Sequence, residues 1–214
     1  MTVYEALETQ KEITAQSIIK NLKKRNMQGF YCKTKEDALK KVLELIPEQS
    51  SIGYGGSVTL EQTGILNALK NGNYNVIERE NYNTPELQRE LSGKIAMSDF
   101  FLMSTNAMSM DGELVNIDGR GNRVCYLIYG PQNVIVVAGW NKIETDLEGA
   151  IKRARNVAAP PNCIRLNKNT PCIKNGHCND CFSPDCICSQ FVVTRRSSVP
   201  DRIKVILVGE NLGY

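Results

Sequence analysis

Apolar residues recur at helical spacing in several segments of the chain. Behind a Thr2-x-x-Glu5 capping box, this spacing predicts a first helix that runs to about residue 25. The same reasoning predicts helices from Thr34 to Pro47, from the glycines at 55 and 56 to Asn71-Gly72, from Thr84, from Asn122, and from Asp146 to Ala158. Pro160-Pro161 is expected to end the last of these, because proline lacks the backbone donor that a helix needs.

Short apolar runs between these helices predict strands. They lie at 30–32, 50–54, 74–77, 99–104, 113–117, 133–138 and 203–208. The run from Asn133 to Ala138 is rich in β-branched residues, as in strands buried on both faces. Alternating strands and helices predict an α/β fold with a mainly parallel sheet between helices. We expect residues 1–214 to form a single domain, with 160–200 as a Cys-rich excursion before the last strand.

Composition excludes several classes of protein. With 214 residues, of which 42% are hydrophobic and 23% charged, the chain can form a full core without disulfides. A net charge of +3, with scattered basic residues, does not indicate a nucleic-acid partner. The longest apolar run, Val134 to Trp140, is too short to cross a membrane, and the N-terminus lacks a secretory pattern. Eight cysteines in such a chain predict a cytoplasmic protein with reduced or metal-bound thiols.

Five of the eight cysteines lie close together, in the pattern Cys172-x5-Cys178-x2-Cys181-x4-Cys186-x-Cys188. Neighbouring thiolates repel one another unless a cation neutralises them, and a bound metal also ties together a loop that has few apolar residues. The spacing therefore predicts metal binding, and the alternatives are a disulfide or free-thiol loop and a structural site without chemistry. The isolated cysteines are expected to be buried packing residues: Cys32, Cys125 and Cys163.

A glycine-rich loop follows the predicted strand at 50–54. Gly55 and Gly56 allow a tight turn with outward-pointing amides, and the following helix adds partial positive charge, so the loop is a candidate cradle for a carboxylate or phosphate. Ser57 and Thr59 either donate hydroxyls to this anion or cap the helix. The alternative is an ordinary tight turn.

A second polar run extends from Ser104 to Arg123, at the ends of predicted strands, where ligands bind in parallel sheets. Asp118 and Glu113 are candidate bases, and Arg123 is a candidate bidentate clamp for a carboxylate. The alternative is a hairpin with charged turn residues and an Asp–Arg pair. The amides in this run are further candidates for ligand binding: Asn106, Asn116 and Asn122.

Several of these motifs together resemble the lactate-utilisation (LUD) domain family over about residues 10 to 208. They are Gly55-Gly56-Ser57-x-Thr59, Asp111-Gly112, Asn116-x-Asp118-Gly119-x-Gly121-Asn122-Arg123 and Gly139-x-Asn141-Lys142-Ile143. The resemblance implies the fold of ribose-5-phosphate isomerase and CoA transferases. It also implies a link to iron–sulfur-dependent oxidation of L-lactate to pyruvate alongside partner subunits. The chain lacks the ferredoxin-type region of the larger lactate-utilisation subunit.

Short members of this family carry a tail of the form Cys-x5-Cys-x2-Cys-x6-Cys. The tail maps onto Cys172, Cys178, Cys181 and Cys188 and implies a 4Fe-4S cluster or zinc, with Cys186 as a spare thiol or a competing ligand.

Three functional hypotheses remain open at this point. The first is a redox accessory protein that binds a small 2-hydroxy or 2-keto acid, with Arg123 and Lys142 pairing with its carboxylate. The second is a zinc-stabilised binding or regulatory module without catalysis. The third is an isomerase or CoA-transferase-like enzyme that uses Asp118 or Glu113.

Overall fold

A six-stranded sheet forms the centre of the computed structural model, which describes all residues, 1–214. Every neighbouring pair of strands in it is parallel. Numbered in chain order, the strands lie side by side as β1 (Gln28–Cys32), β10 (Ile203–Val208), β7 (Asn133–Gly139), β4 (Phe100–Met103), β2 (Ser51–Tyr54) and β3 (Asn75–Val76). The predicted α/β class with a mainly parallel sheet is therefore confirmed.

Helices cover both faces of this sheet. One face packs against α1 (Val3–Lys24), α5 (Pro85–Ala96) and α6 (Val124–Ile128). The opposite face packs against α2 (Lys35–Leu45), α3 (Val58–Gln62) and α4 (Ile65–Asn71). None of the helices combines the length and the apolar character that crossing a bilayer requires.

Strand β7 shows why the sheet is buried on both sides. Val134 and Val136 belong to the core beneath α1 and α5, whereas Ile135 and Val137 belong to the core beneath α2 to α4. Successive side chains of a strand point to opposite faces, so an uninterrupted apolar run serves both cores.

A second, smaller sheet lies beside the first. Its strands have the order β8 (Ile143–Glu144), β5 (Ala107–Ser109), β6 (Leu114–Asp118) and β9 (Gln190–Thr194). Only β6 had been predicted from the sequence. Strands β5 and β8 are too short to show an alternating pattern, and β9 lies within the Cys-rich excursion, where it pairs antiparallel with β6.

The predicted end of the helix at Pro160-Pro161 is wrong. Helix α7 (Leu147–Arg153) continues through a π-helical segment, Ala154–Ala158, into α8 (Ala159–Arg165). Both prolines lie in the first turn of α8, where a missing backbone donor is tolerated.

Two further helices differ from the prediction. The excursion also contains α9 (Cys172–Asn175). The predicted helix after the glycine loop is divided into α3 and α4 at Gly64, whose φ of +70° interrupts helical geometry.

The parallel sheet brings three polar segments to one edge. The glycine loop follows β2, Ser104 and Thr105 follow β4, and Lys142 ends a short 3-10 turn after β7. These are carboxyl ends of neighbouring strands, where ligands bind in open α/β sheets.

We predict opposite effects for alanine at two glycines. A Cβ at Gly139 would lie 2.5 Å from the backbone nitrogen of Leu212, whereas a Cβ at Gly93, inside α5, meets nothing within 4 Å. Gly139→Ala should therefore destabilise the protein by about 1–3 kcal/mol, because Leu212 must move. Gly93→Ala should stabilise it by up to about 1 kcal/mol, since alanine is the better helix former.

Urea unfolding of both variants measures these changes. A Gly139→Ala protein as stable as the unsubstituted chain would show that the segment at Leu212 is not held where the structure places it.

Candidate functional site

A polar cavity of about 230 Å³ opens at the carboxyl ends of β2 and β4. We call it the basic cavity, because it is lined by four basic side chains, Arg79, Arg123, Lys142 and Arg165, and by one acidic side chain, Asp118. Eight of the residues predicted as site residues line it: Gly56, Ser57, Thr59, Asn106, Asp118, Asn122, Arg123 and Lys142.

Lys142 lies on the floor of the basic cavity and is 5% exposed. Its Nζ lies 3.0 Å from Thr59 Oγ1, 3.0 Å from Ser104 Oγ and 3.2 Å from the carbonyl oxygen of Thr105. All three partners are neutral. Burial, followed by the nearby guanidinium groups of Arg153 and Arg123, lowers the pKa of Lys142 to about 7. The amine is therefore partly unprotonated at neutral pH.

Arg123, a candidate clamp for a carboxylate in the sequence analysis, is bound on all sides by groups of the protein itself. Its Nε donates to Asp118 Oδ1 at 3.0 Å, Nη1 donates to Ser104 O and Asn116 Oδ1, and Nη2 donates to Asn106 Oδ1 and Ile117 O. A guanidinium group has five N–H donors. All five are used within the protein, so none is left for a ligand.

The two candidate bases are both held by other groups. Asp118 accepts from the backbone N–H groups of Arg123 and Val124, each at 2.9 Å, in addition to the Arg123 guanidinium. Glu113 lies outside the basic cavity, where it pairs with Arg25 at 2.5 Å and binds Ser109. The Asp–Arg pair that had been considered as an alternative is thus present, and the structure brings neither carboxylate into position as a free base.

Two predicted ligand-binding residues support Arg123 instead of lining the cavity. The Gly55 amide donates to the carbonyl oxygen of Leu102, and a Cβ at Gly55 would lie 3.0 Å from Arg123 Cγ. This glycine is needed for the close approach of the arginine stem. Asn116 is fully buried and accepts from Arg123, while its own side-chain N–H₂ group has no partner.

The cations that remain free for an anion had not been singled out from the sequence. Arg79 begins a short 3-10 turn and lies beside the glycine loop. A Cβ added to Gly56 would lie 3.2 Å from Arg79 Nη1. Arg165 ends α8 and donates to Asn162 Oδ1 at 2.8 Å. The arginines that form ion pairs are others, Arg25, Arg123 and Arg155. The sequence shows Arg79 and Arg165 only as isolated charges, far along the chain from the glycine loop.

Six cysteines line a second pocket, which we call the thiol pocket: Cys163, Cys172, Cys178, Cys181, Cys186 and Cys188. All eight cysteines of the chain are free thiols. Cys32 and Cys163 are buried, as expected, but Cys163 is not isolated, because α8 carries it into this pocket. Cys125 was expected to be buried and is exposed, since it lies on the outer side of the short helix α6. The four predicted ligands thus share one pocket with two further thiols.

Polar groups surround the thiol sulfur atoms. Backbone N–H groups donate to Cys178 from Asp180 and to Cys186 from Cys188, both at 3.4 Å. The Arg155 guanidinium lies 3.7 Å from Cys178 Sγ. Such donors favour the charge that a thiolate ligand carries.

The protonation of the thiols bears on metal binding. Burial raises the pKa of Cys188 to about 12 and that of Cys163 to about 11, whereas hydrogen bonds from Ser183 lower the pKa of Cys181. No group of three or more cysteine, histidine or acidic side chains is arranged at the separation that a single bound ion requires. The donor set is the one that zinc and iron–sulfur clusters use, and metal binding remains a prediction.

Helix α8 separates the two sites. Asn162 and Arg165 line the basic cavity, and Cys163 lines the thiol pocket. A third opening shares Asp118 and Asn162 with the basic cavity and Cys186 with the thiol pocket.

We predict that Arg123→Lys destabilises the protein strongly. Lysine keeps the positive charge but has at most three donors, so buried acceptors such as Asn116 Oδ1 and the Ser104 carbonyl oxygen lose their partners. The free energy of unfolding, measured with urea, should fall by about 2–4 kcal/mol. The exposed Arg120→Lys variant is the control and should change it by less than about 0.5 kcal/mol. Equal stability of the two variants would contradict the role of Arg123 as a structural centre.

The chain matches a known protein family over most of its length. A profile of the LUD domain matches residues 15–208, which confirms the resemblance inferred from the motifs. No curated protein matches the chain.

Solved structures that are similar to this one include the following two. A DUF162 family protein from Deinococcus radiodurans has a TM-score of 0.55 and 10% identity, over 92% of this chain and 97% of that one, and shows a common fold. Ribose 5 phosphate isomerase A from Neisseria gonorrhoeae is more distant, with a TM-score of 0.34 and 15% identity over 53% of this chain and 54% of its own. Taken with the profile match, the fold and the motifs lead to one identification: the chain belongs to the LUD domain family.

Proposed function

We propose that this protein binds a small 2-hydroxy or 2-keto acid, such as L-lactate or pyruvate, in the basic cavity and acts as an accessory protein in lactate utilisation. The observation that carries the proposal is the excess of positive charge at the carboxyl ends of β2 and β4. Arg123 is paired there with Asp118, so Arg79 and Arg165 are the guanidinium groups left without an acidic partner, beside the partly protonated Lys142. A ligand carboxylate supplies negative charge to these two arginines.

The size and the lining of the cavity support a small polar ligand. About 230 Å³ accommodates a molecule of a few carbon atoms. Arg79 and Arg165 have free donors for its carboxylate, whereas Thr59, Ser104 and Lys142 offer hydroxyl and amine groups for a hydroxyl or keto oxygen. Arg123 contributes by holding this wall in place.

The second part of the proposal concerns the thiol pocket. We propose that Cys172, Cys178, Cys181 and Cys188 hold a 4Fe-4S cluster or zinc, with Cys163 and Cys186 adjacent. An iron–sulfur cluster, when bound, supplies one-electron chemistry, and zinc supplies structural stability. The N–H groups directed at Cys178 and Cys186 and the Arg155 guanidinium stabilise negative charge on sulfur. We further propose that partner subunits of lactate oxidation associate with this protein.

Anion binding is tested by calorimetric titration with L-lactate and with pyruvate. Arg79→Gln and Arg165→Gln should each weaken binding by about tenfold or more, because each removes a charge-assisted hydrogen bond. The control is Arg89→Gln, an exposed position on α5 outside the cavity, which should bind as the unsubstituted protein does. If all three variants bind equally well, the carboxylate does not sit in the basic cavity.

Metal binding is tested by purification under argon, metal analysis and a visible spectrum. We expect brown, iron-containing protein, and loss of iron when serine replaces any of Cys172, Cys178, Cys181 and Cys188. Cys125→Ser is the matched control, since this thiol lies outside the pocket. Colourless protein with one zinc would identify the zinc alternative, and protein with neither metal would contradict the proposal. Cys163→Ser and Cys186→Ser report whether either adjacent thiol is a ligand.

A further inference from the structure

Lys142 differs from the other cations of the basic cavity in the surroundings of its amino group. Its Nζ contacts two hydroxyl groups and one carbonyl oxygen, and the charged groups nearest to it are the guanidinium groups of Arg153 and Arg123. Asp118, the carboxylate of the cavity, is bound to Arg123. Lys142 is thus a buried amine without a counter-ion, at the floor of an open cavity.

We propose that Lys142 is a nucleophile that forms a Schiff base with the keto group of a 2-keto acid bound in the basic cavity. The inference rests on the proposed function, because it takes the ligand to be a small keto acid whose carboxylate is held by Arg79 and Arg165. It goes beyond that function by assigning a covalent step to a residue that had been expected only to pair with the carboxylate.

The step is balanced without an oxidant or a reductant. The lone pair of Nζ attacks the keto carbon, and a proton passes from nitrogen to the former keto oxygen to give a carbinolamine. The C–O bond then breaks as the C=N bond forms, and the two amine protons leave with the oxygen as one water molecule. Ser104 Oγ and Thr59 Oγ1, each 3.0 Å from Nζ, are placed to accept and return the protons.

The electrostatics of the cavity keep the amine reactive. Only an unprotonated amine has the lone pair that this attack needs, and burial with two neighbouring guanidinium groups disfavours protonation of Lys142. No acidic side chain is among the hydrogen-bond partners of Nζ. Tyr214 also lines the cavity, and its main-chain oxygen accepts a hydrogen bond from Arg153 at 3.2 Å. The neighbours of Nζ come from several elements: Thr59 from α3, Ser104 and Thr105 from the segment after β4, and Arg153 from the end of α7. Gly213 is also close, since a Cβ added to it would lie 3.2 Å from Nζ.

Reductive trapping tests the proposal on the full-length protein. Incubation with pyruvate and sodium borohydride should add the mass of one pyruvate less one oxygen atom, and peptide mapping should place the adduct on Lys142. Lys142→Met should abolish this adduct. Ser104→Ala keeps the lysine and should slow trapping by about tenfold or more, since a proton acceptor is lost. The exposed Lys20 in the same digest is the internal control and should stay unmodified.

A second measurement does not depend on any variant. Labelling with acetic anhydride at a series of pH values reports the unprotonated fraction of each amine. Labelling of Lys142 should rise about tenfold between pH 6 and pH 8 and then level off, as a pKa of about 7 requires. Nα-acetyllysine in the same tube should continue to rise about tenfold per pH unit to pH 9. Parallel curves for the two amines would overturn the proposal.

The outcomes separate this inference from the function on which it rests. L-Lactate has no keto group, so it should bind in the titration and leave no adduct. If L-lactate and pyruvate both bind but pyruvate gives no adduct on Lys142, the Schiff base is wrong and the proposed function stands. If neither acid binds and no adduct forms, both are wrong.

Discussion

The buried contact between Arg123 and Asp118 determines most of what this site can do. The guanidinium group joins the end of β4, at Ser104, to the end of β6, at Asn116 and Ile117. Asp118 compensates its charge and also receives two backbone N–H groups at the start of α6. A buried charge of this kind is tolerated only when it is paired and hydrogen-bonded. Because every donor of Arg123 is used, the arginine holds the cavity wall, and binding of a ligand is left to other cations.

The same contact changes the roles of two neighbours. Asp118 accepts hydrogen bonds from the Arg123 side chain and from two backbone N–H groups, so its oxygen atoms are occupied within the protein. Arg123 adds positive charge near Lys142 and, after burial and Arg153, helps to keep that amine unprotonated. A single structural ion pair therefore occupies the acidic side chain of the cavity and adds to the positive charge that lowers the pKa of Lys142.

The sequence predicted the large sheet well, because all of its strands except β3 have four to seven residues, enough to show a pattern. The apolar run of β7 must serve two cores, and polar segments after β2, β4 and β7 must meet at one edge. Apart from β6, the second sheet escaped prediction, since β5 and β8 have only three and two residues and are recognised by their pairing with neighbouring strands. The roles of Arg123 and Glu113 depend on which groups lie opposite them, and a one-dimensional pattern does not contain that information. Arg79 and Arg165 were missed for the same reason.

The two pockets are related through the unusual helix between them. Consecutive residues of an α-helix point about 100° apart, so Asn162 lines the basic cavity and Cys163 lines the thiol pocket. In both pockets burial favours the neutral form of the ionisable groups, the amine of Lys142 and the thiols of Cys163 and Cys188. The consequences differ between the two pockets. Attack by Lys142 on a keto carbon needs an amine that has already lost its proton, so burial favours that step. Metal binding requires the thiols to release their protons, so burial of Cys163 and Cys188 opposes it, and the N–H groups and the guanidinium group directed at the other sulfur atoms act in the opposite sense.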